Sequence, residues 1–145
     1  MNQFADKPTS GQLERELSQS IQAFYRERLG KRPSRVSCQF FNAKIAITIE
    51  DSVTQPVLLL AEERDRELAE TVRSELLKAI EPDLRQIIEA VTGAEAIDFL
   101  CDSTLDTGRT GIIAVLTHTP DVRNASAIPK SGKSSPSPVR AGDSG

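Results

Sequence analysis

Two stretches of alternating apolar residues, near 35–50 and 95–117, bracket a charged helical block, and this arrangement constrains the fold more than any motif does. In the first stretch Val36, Cys38 and Phe40 share one face, and after Asn42-Ala43 the alternation resumes as Ile45, Ile47 and Ile49. Two β-rich runs around a short turn containing Asn predict a hairpin. In the second stretch Ile97, Phe99 and Cys101 alternate, Asp102 to Arg109 is a turn by its chemistry, and Ile113, Val115 and Thr117 complete a second hairpin. Each hairpin has one apolar face, and neighbouring helices are its natural cover.

Helical periodicity supplies those covers. Leu13, Leu17, Ile21, Phe24 and Tyr25 recur at spacings of three and four, with Ser10 placed as N-cap and Gly30 as the C′ residue. Thr54, followed by Pro56 and an apolar run, opens a short helix. Asp65 is placed as the N-cap of a longer one, whose stripe runs from Leu68 through Leu76, Leu77, Ile80, Leu84 and Ile88 to Val91, with Gly93 closing it. Pro82 removes an i→i−4 hydrogen bond, so a kink or a restart is expected near Ile80 to Pro82.

A chain of 145 residues, 38% hydrophobic and 27% charged, suits one domain. No apolar run is longer than Val57 to Ala61, far below the ~20 residues of a membrane span. The first residues show no basic segment leading into an apolar stretch, so no secretory signal is expected and the location predicted is cytoplasmic. Net charge of −3 speaks against a general nucleic-acid binder. Cys38 and Cys101, on alternating strand faces, read as buried thiols and not as a disulfide or metal pair. With one His and no clustered ligands, no metal is expected. Half of the 26 residues from Pro120 to Gly145 are Ser, Pro or Gly, so a disordered tail is predicted.

Candidate sites are few. Asp106-Thr107-Gly108 spells the short aspartic-protease triplet, yet those residue types are expected in a hairpin turn for backbone reasons. The wider Asp102–Arg109 turn, with Asp102, Asp106, Thr107 and Arg109, could hold a cation or orient a polar ligand, or be an Asx- or ST-turn that fixes register. From Tyr25 to Arg35 five positive charges face one negative. Arg26, Arg28, Lys31 and Arg32 could form a docking patch for an acidic partner or a membrane surface, or complement the helix C-terminus and stay solvated. His118 has no Ser or Cys nucleophile linked to it by the sequence.

The order of these segments resembles the MpsC-like family, named for a sodium-translocating, membrane-potential-generating system. The residues that carry the likeness are Tyr25-Arg26-Glu27-Arg28-Leu29-Gly30-Lys31-Arg32-Pro33, the hairpin at 35–50, Thr54-Gln55-Pro56, Glu89-Ala90-Val91-Thr92-Gly93, and Asp102 with Thr107-Gly108. Arg32 and Asp65 stand where the family often has glycine, and Cys101 stands where it has serine. The resemblance spans roughly residues 10–117 and implies an accessory role beside an ion or inorganic-carbon transport system, with no catalytic residue to carry over.

The expectation is thus a frayed start at 1–9, a single α+β domain at 10–118 and a disordered tail at 119–145. The domain is predicted as two antiparallel hairpins on kinked helices, in the order α-β-β-α-α-β-β. Its predicted role is that of a non-enzymatic accessory or regulatory protein that self-associates. It needs no cofactor, binds no nucleic acid, and sits at the membrane only peripherally, through a protein partner such as a transport component. The alternative is a small-ligand or nucleotide sensor that uses the Asp102–Arg109 turn as its polar pocket.

Overall fold

Helix α1 (Ser10–Leu29) begins one residue earlier than Ser10 as a cap would place it. Thr9 is the N-cap, because Gln12 lies three residues beyond it: the Thr9 hydroxyl accepts from the Gln12 amide and the Gln12 side chain accepts from the Thr9 amide. That reciprocal box satisfies two free helix-end donors at once. Leu13, Leu17, Ile21 and Tyr25 form the buried stripe, and Gly30 ends the helix at φ 66°, a left-handed conformation that suits glycine.

Strands β1 (Arg35–Phe41) and β2 (Lys44–Glu50) form the first hairpin, turned at Asn42 with φ 53°. Helix α2 (Gln55–Glu63) starts at Thr54 with Pro56 in its first turn. Helix α3 (Arg66–Thr92) is capped by Asp65, whose carboxylate accepts from the Glu67 and Leu68 amides. It runs through Pro82 without a restart. Pro82 and Lys78, whose carbonyl loses its i+4 donor, are both exposed, so water can satisfy that carbonyl. Strands β3 (Ala96–Thr104) and β4 (Arg109–Leu116) form the second hairpin.

The computed structural model describes residues 7–129. In it the two hairpins fuse into one antiparallel sheet of order β1-β2-β4-β3, with β2 and β4 paired at the centre. Val36, Phe40, Ile45, Ile47, Ile49, Phe99, Ile112, Ala114 and Leu116 all point to one face and share a core with the α1 and α3 stripes. A smaller cluster of Val53, Val57, Ala69 and Leu105 ties α2 and the start of α3 to the β3–β4 turn.

Besides the N-cap at Thr9, three features differ from the sequence expectation. The buried face of β4 carries Thr110, Ile112, Ala114 and Leu116, and not Ile113, Val115 and Thr117. Ile112 to Leu116 is apolar on both faces, so alternation within the strand could not choose the phase. In β3 an irregularity between Ala96 and Asp98 turns Ile97 outward to 59% exposure. Finally, residues 119–129, assigned by composition to the tail, pack on the domain. Val122 and Ile128 are buried in the main core, and the strap is tied by Arg123 N–H to Pro8 C=O, Ser10 N–H to Asn124 and Asn42 N–H to Pro129 C=O. The remainder of that segment, residues 130–145, and the first residues of the frayed start lie outside the described residues.

Candidate functional site

The end of α1 makes a basic knuckle. Gly30 breaks the helix, the buried Pro33 turns the chain into β1, and the Gln22 amide donates to the Pro33 carbonyl at 3.4 Å to pin the turn. Arg28 lies over the Phe24 ring at 5.9 Å and pairs with Asp83 at 3.3 Å. Arg26, Lys31, Arg32 and Arg35 carry no side-chain ion pair among the described residues, and all but the half-buried Lys31 are exposed. The structure thus leaves Arg26, Lys31, Arg32 and Arg35 side by side at this knuckle without an ion pair among the described residues. Arg28 is the one member of the candidate patch already engaged within the chain.

The second candidate region, the β3–β4 turn, is shorter than the expected Asp102–Arg109, because Asp102, Ser103 and Thr104 pair within β3 and Arg109 begins β4. This end of the hairpin is held closed by its own domain. Arg73 of α3 donates to Asp102 at 3.2 Å and to the Ser103 hydroxyl at 2.7 Å, while its Nε donates to Glu70 at 2.8 Å. Arg66, two helical turns earlier, donates to Asp106 at 2.7 Å. Arg109 donates through Nε to both carboxylate oxygens of Glu50, at 2.8 and 2.9 Å. Thr104 and Thr107 share a hydroxyl–hydroxyl bond, Leu105 is buried, and Gly108 turns at φ 69°. Behind the turn, the Ser52 amide and hydroxyl both donate to the Gly108 carbonyl, at 2.8 and 3.0 Å, and Ser52 also bonds Thr110 at 2.6 Å. Thr110 is in turn the hydrogen-bond partner of Tyr25, whose phenol is pushed well above its ordinary range by burial.

These contacts define a clasp. Each acid of the turn faces an arginine on α3, and the β2–α2 connection is latched to the hairpin by Ser52. The residues that build it, Glu50, Ser52, Arg66, Arg73 and Thr110, were not among the candidates. The signal for two of them was present: Arg66 and Arg73 are seven apart and so share a helix face. Tyr25, Ser52, Arg73, Ser103 and Thr110 line a cavity of about 30 Å³. That is room for about two waters, whereas drug-sized ligands occupy roughly 300 Å³ or more. Outside it, Asp102, Ser103, Thr104, Arg109 and Gly111 line an open depression of about 230 Å³.

The two thiols stand in one cross-sheet row, Cys38–Ile47–Ile112–Cys101. Three strand spacings, about 14 Å, separate them, too far for a disulfide. Burial pushes Cys38 up to about 11, and burial, with Glu81 and Asp102 nearby, pushes Cys101 up to about 12. His118 is exposed and contacts the Thr119 carbonyl. Among the described residues no three His, Cys, Asp or Glu side chains gather as metal ligands would, and no helix is long and apolar enough to cross a membrane.

The fold is thus an α+β domain of order α-β-β-α-α-β-β with one antiparallel sheet under three helices. A family model described as "Na+-translocating membrane potential-generating system (MpsC)" matches residues 9–118, and the chain belongs to that family. No curated protein and no solved structure matches it.

Proposed function

We propose that this chain is a non-enzymatic accessory or regulatory protein of an ion-transport assembly, cytoplasmic and held at the membrane by a protein partner. Arg26, Lys31 and Arg32 dock on an acidic segment of that partner. The observation that carries this reading is the imbalance of charge. The acids of the polar turn, Asp102 and Asp106, have arginine partners, while the knuckle presents exposed cations without one on a chain of net charge −3. Membership in a family named for a Na+-translocating system supports a transport partner. A clustered basic patch steers an acidic surface into register and makes the contact salt-sensitive.

The sensor reading has less support, because a ligand at the Asp102–Arg109 turn would have to displace Arg66 or Arg73 from its carboxylate. The test is co-expression with the membrane subunits of such a system, followed by affinity capture of the complex. R26E/K31E/R32E is expected to cut capture about tenfold or more with the melting temperature unchanged. Capture that survives the triple reversal overturns the docking surface. Equal binding of the wild type to protein-free anionic vesicles overturns the protein partner.

A further inference from the structure

The sheet has a second face, and nothing among the described residues packs across it. Its residues follow from the register. One row is Gln39–Ala46–Ile113–Leu100, the next is Ser37–Thr48–Gly111–Asp102, and these are flanked by Phe41–Lys44–Val115–Asp98 and by Arg35–Glu50 with Arg109–Thr104. Leu100 is 63% exposed at the edge of the apolar row, and a shallow hollow of about 600 Å³ lies over Ala46, Leu100, Gly111 and Ile113. Ala46, Ile113 and Leu100 make a short apolar row flanked by charged residues, while the other exposed large apolar side chains, Leu59, Leu68 and Ile97, stand apart from it, and such a continuous row marks a contact surface.

We propose that this face packs against the same face of a second copy, about a twofold axis that crosses the strands between the Ile113 and Gly111 rows. The proposal stands apart from the docking reading, since it uses none of the knuckle residues. Its basis is self-complementarity. The twofold keeps each strand opposite its own copy and reverses its direction. Ile113 then faces the dent left by Gly111, beside which a side chain would meet only open space, and Leu100 faces Asp102, whose carboxylate Arg73 already holds. Lys44, which has no ionic partner among the described residues, faces Glu50 at the far end of the partner's β2 and shares that carboxylate with the Arg109 that already holds it. Arg35 faces Phe41, a cation over a ring. A surface on which residue i meets j while j meets i is what a closed dimer requires, and sheets packed face to face align within about 30°.

Size sets the expected strength. Four strands about 4.8 Å apart and seven residues of about 3.3 Å give a face of roughly 400 Å² per copy, about 800 Å² in all, below the roughly 1,200 Å² of a stable specific interface and in the range of a weak, transient one. The dimer is therefore reversible. The segment 130–145 is a poor alternative cover, since Val139 and Ala141 are its only apolar residues. Arg35, Lys44 and Arg109 balance Glu50, Asp98 and Asp102 on this face, so it has no net charge to draw it to an anionic lipid surface.

Sedimentation velocity of the full chain, from about 10 µM to about 1 mM, tests this. The expected result is a mass rising from 15.8 kDa toward twice that value. L100E, an exposed position outside the clasp, is expected to stay monomeric with unchanged circular dichroism. K44E and E50K are each expected to weaken association about tenfold, and K44E/E50K to restore it, with R109Q as the control for the Glu50–Arg109 pair that E50K also breaks. The two residues lie about 20 Å apart along one strand, so rescue can only be intermolecular. A wild type that stays monomeric, an L100E chain that still dimerises, or a double reversal no better than the singles overturns the proposal.

Discussion

Cys38 shows how a single residue reads its surroundings. It lies on the covered face of β1 against Ser18 of α1, with the two side chains 3.5 Å apart, so its neutral form is the one the fold favours. Cys101 at the other edge is in the same position. A thiol whose folded pKa lies above its ordinary value of 9.0 adds stability that is fully present below that pH. That stability is lost as pH climbs through about 11 for Cys38 and about 12 for Cys101. The urea midpoint is accordingly expected to hold level to about pH 9 and to fall above it, and to fall less steeply in C38A/C101A. A midpoint that drops equally in both chains would show that the thiols take no part. The Tyr25–Thr110–Ser52 chain follows the same logic: burial raises the Tyr25 phenol, and buried hydroxyls persist in the core because each finds another.

At the scale of elements, the boundaries are set by short-range chemistry and the placement by long-range pairs. Asp65 separates α2 from α3 because its carboxylate takes two amides that the first turn of α3 would otherwise leave open. Asp65→Ala is expected to cost about 1 kcal/mol, measured by urea denaturation, and Asp65→Asn to recover most of it. The clasp then fixes where α3 sits, with Arg66 and Arg73 gripping the β3–β4 turn from one helix face. Exposed ion pairs of this kind contribute little each, about 0–1 kcal/mol, so their value lies in registering helix against hairpin. At the β1 edge, α1 uses side chains for a similar purpose: the Glu14 carboxylate accepts from the Phe40 amide and the Ser18 hydroxyl donates to the Val36 carbonyl. Two of the edge groups that could recruit a foreign strand are thereby occupied.

For the molecule as a whole, the strap at 119–129 closes the domain. It leaves β4, crosses to the start of α1 and returns to the β1–β2 turn, burying Val122 and Ile128 on the way. Ile128→Ala is expected to destabilise the protein by about 2–4 kcal/mol, read as a lowered melting temperature. A change below about 0.5 kcal/mol, as at an ordinary surface site, would mean the strap is not part of the core. With the strap in place the helices and connections account for one face of the sheet, and charge divides between a clasped turn and an unpaired knuckle. The docking and self-association proposals occupy these two remaining surfaces.

Element order, helix stops and turn positions were legible along the chain because they depend on neighbours within a few residues. Gly30 and Gly93 supply left-handed stops, Asp65 a cap, and Asn42 and Gly108 the turns. Even the basic knuckle could be read, since it is contiguous. Three things could not. The inward face of β4 depends on which side the helices cover, a strand apolar on both sides being indifferent to the choice. Val122 and Ile128 are lone apolar residues in a polar segment, and only a distant surface gives them somewhere to be buried. The arginines of the clasp meet acids some thirty to forty residues away, a separation at which local pattern carries no information and chain topology carries all of it.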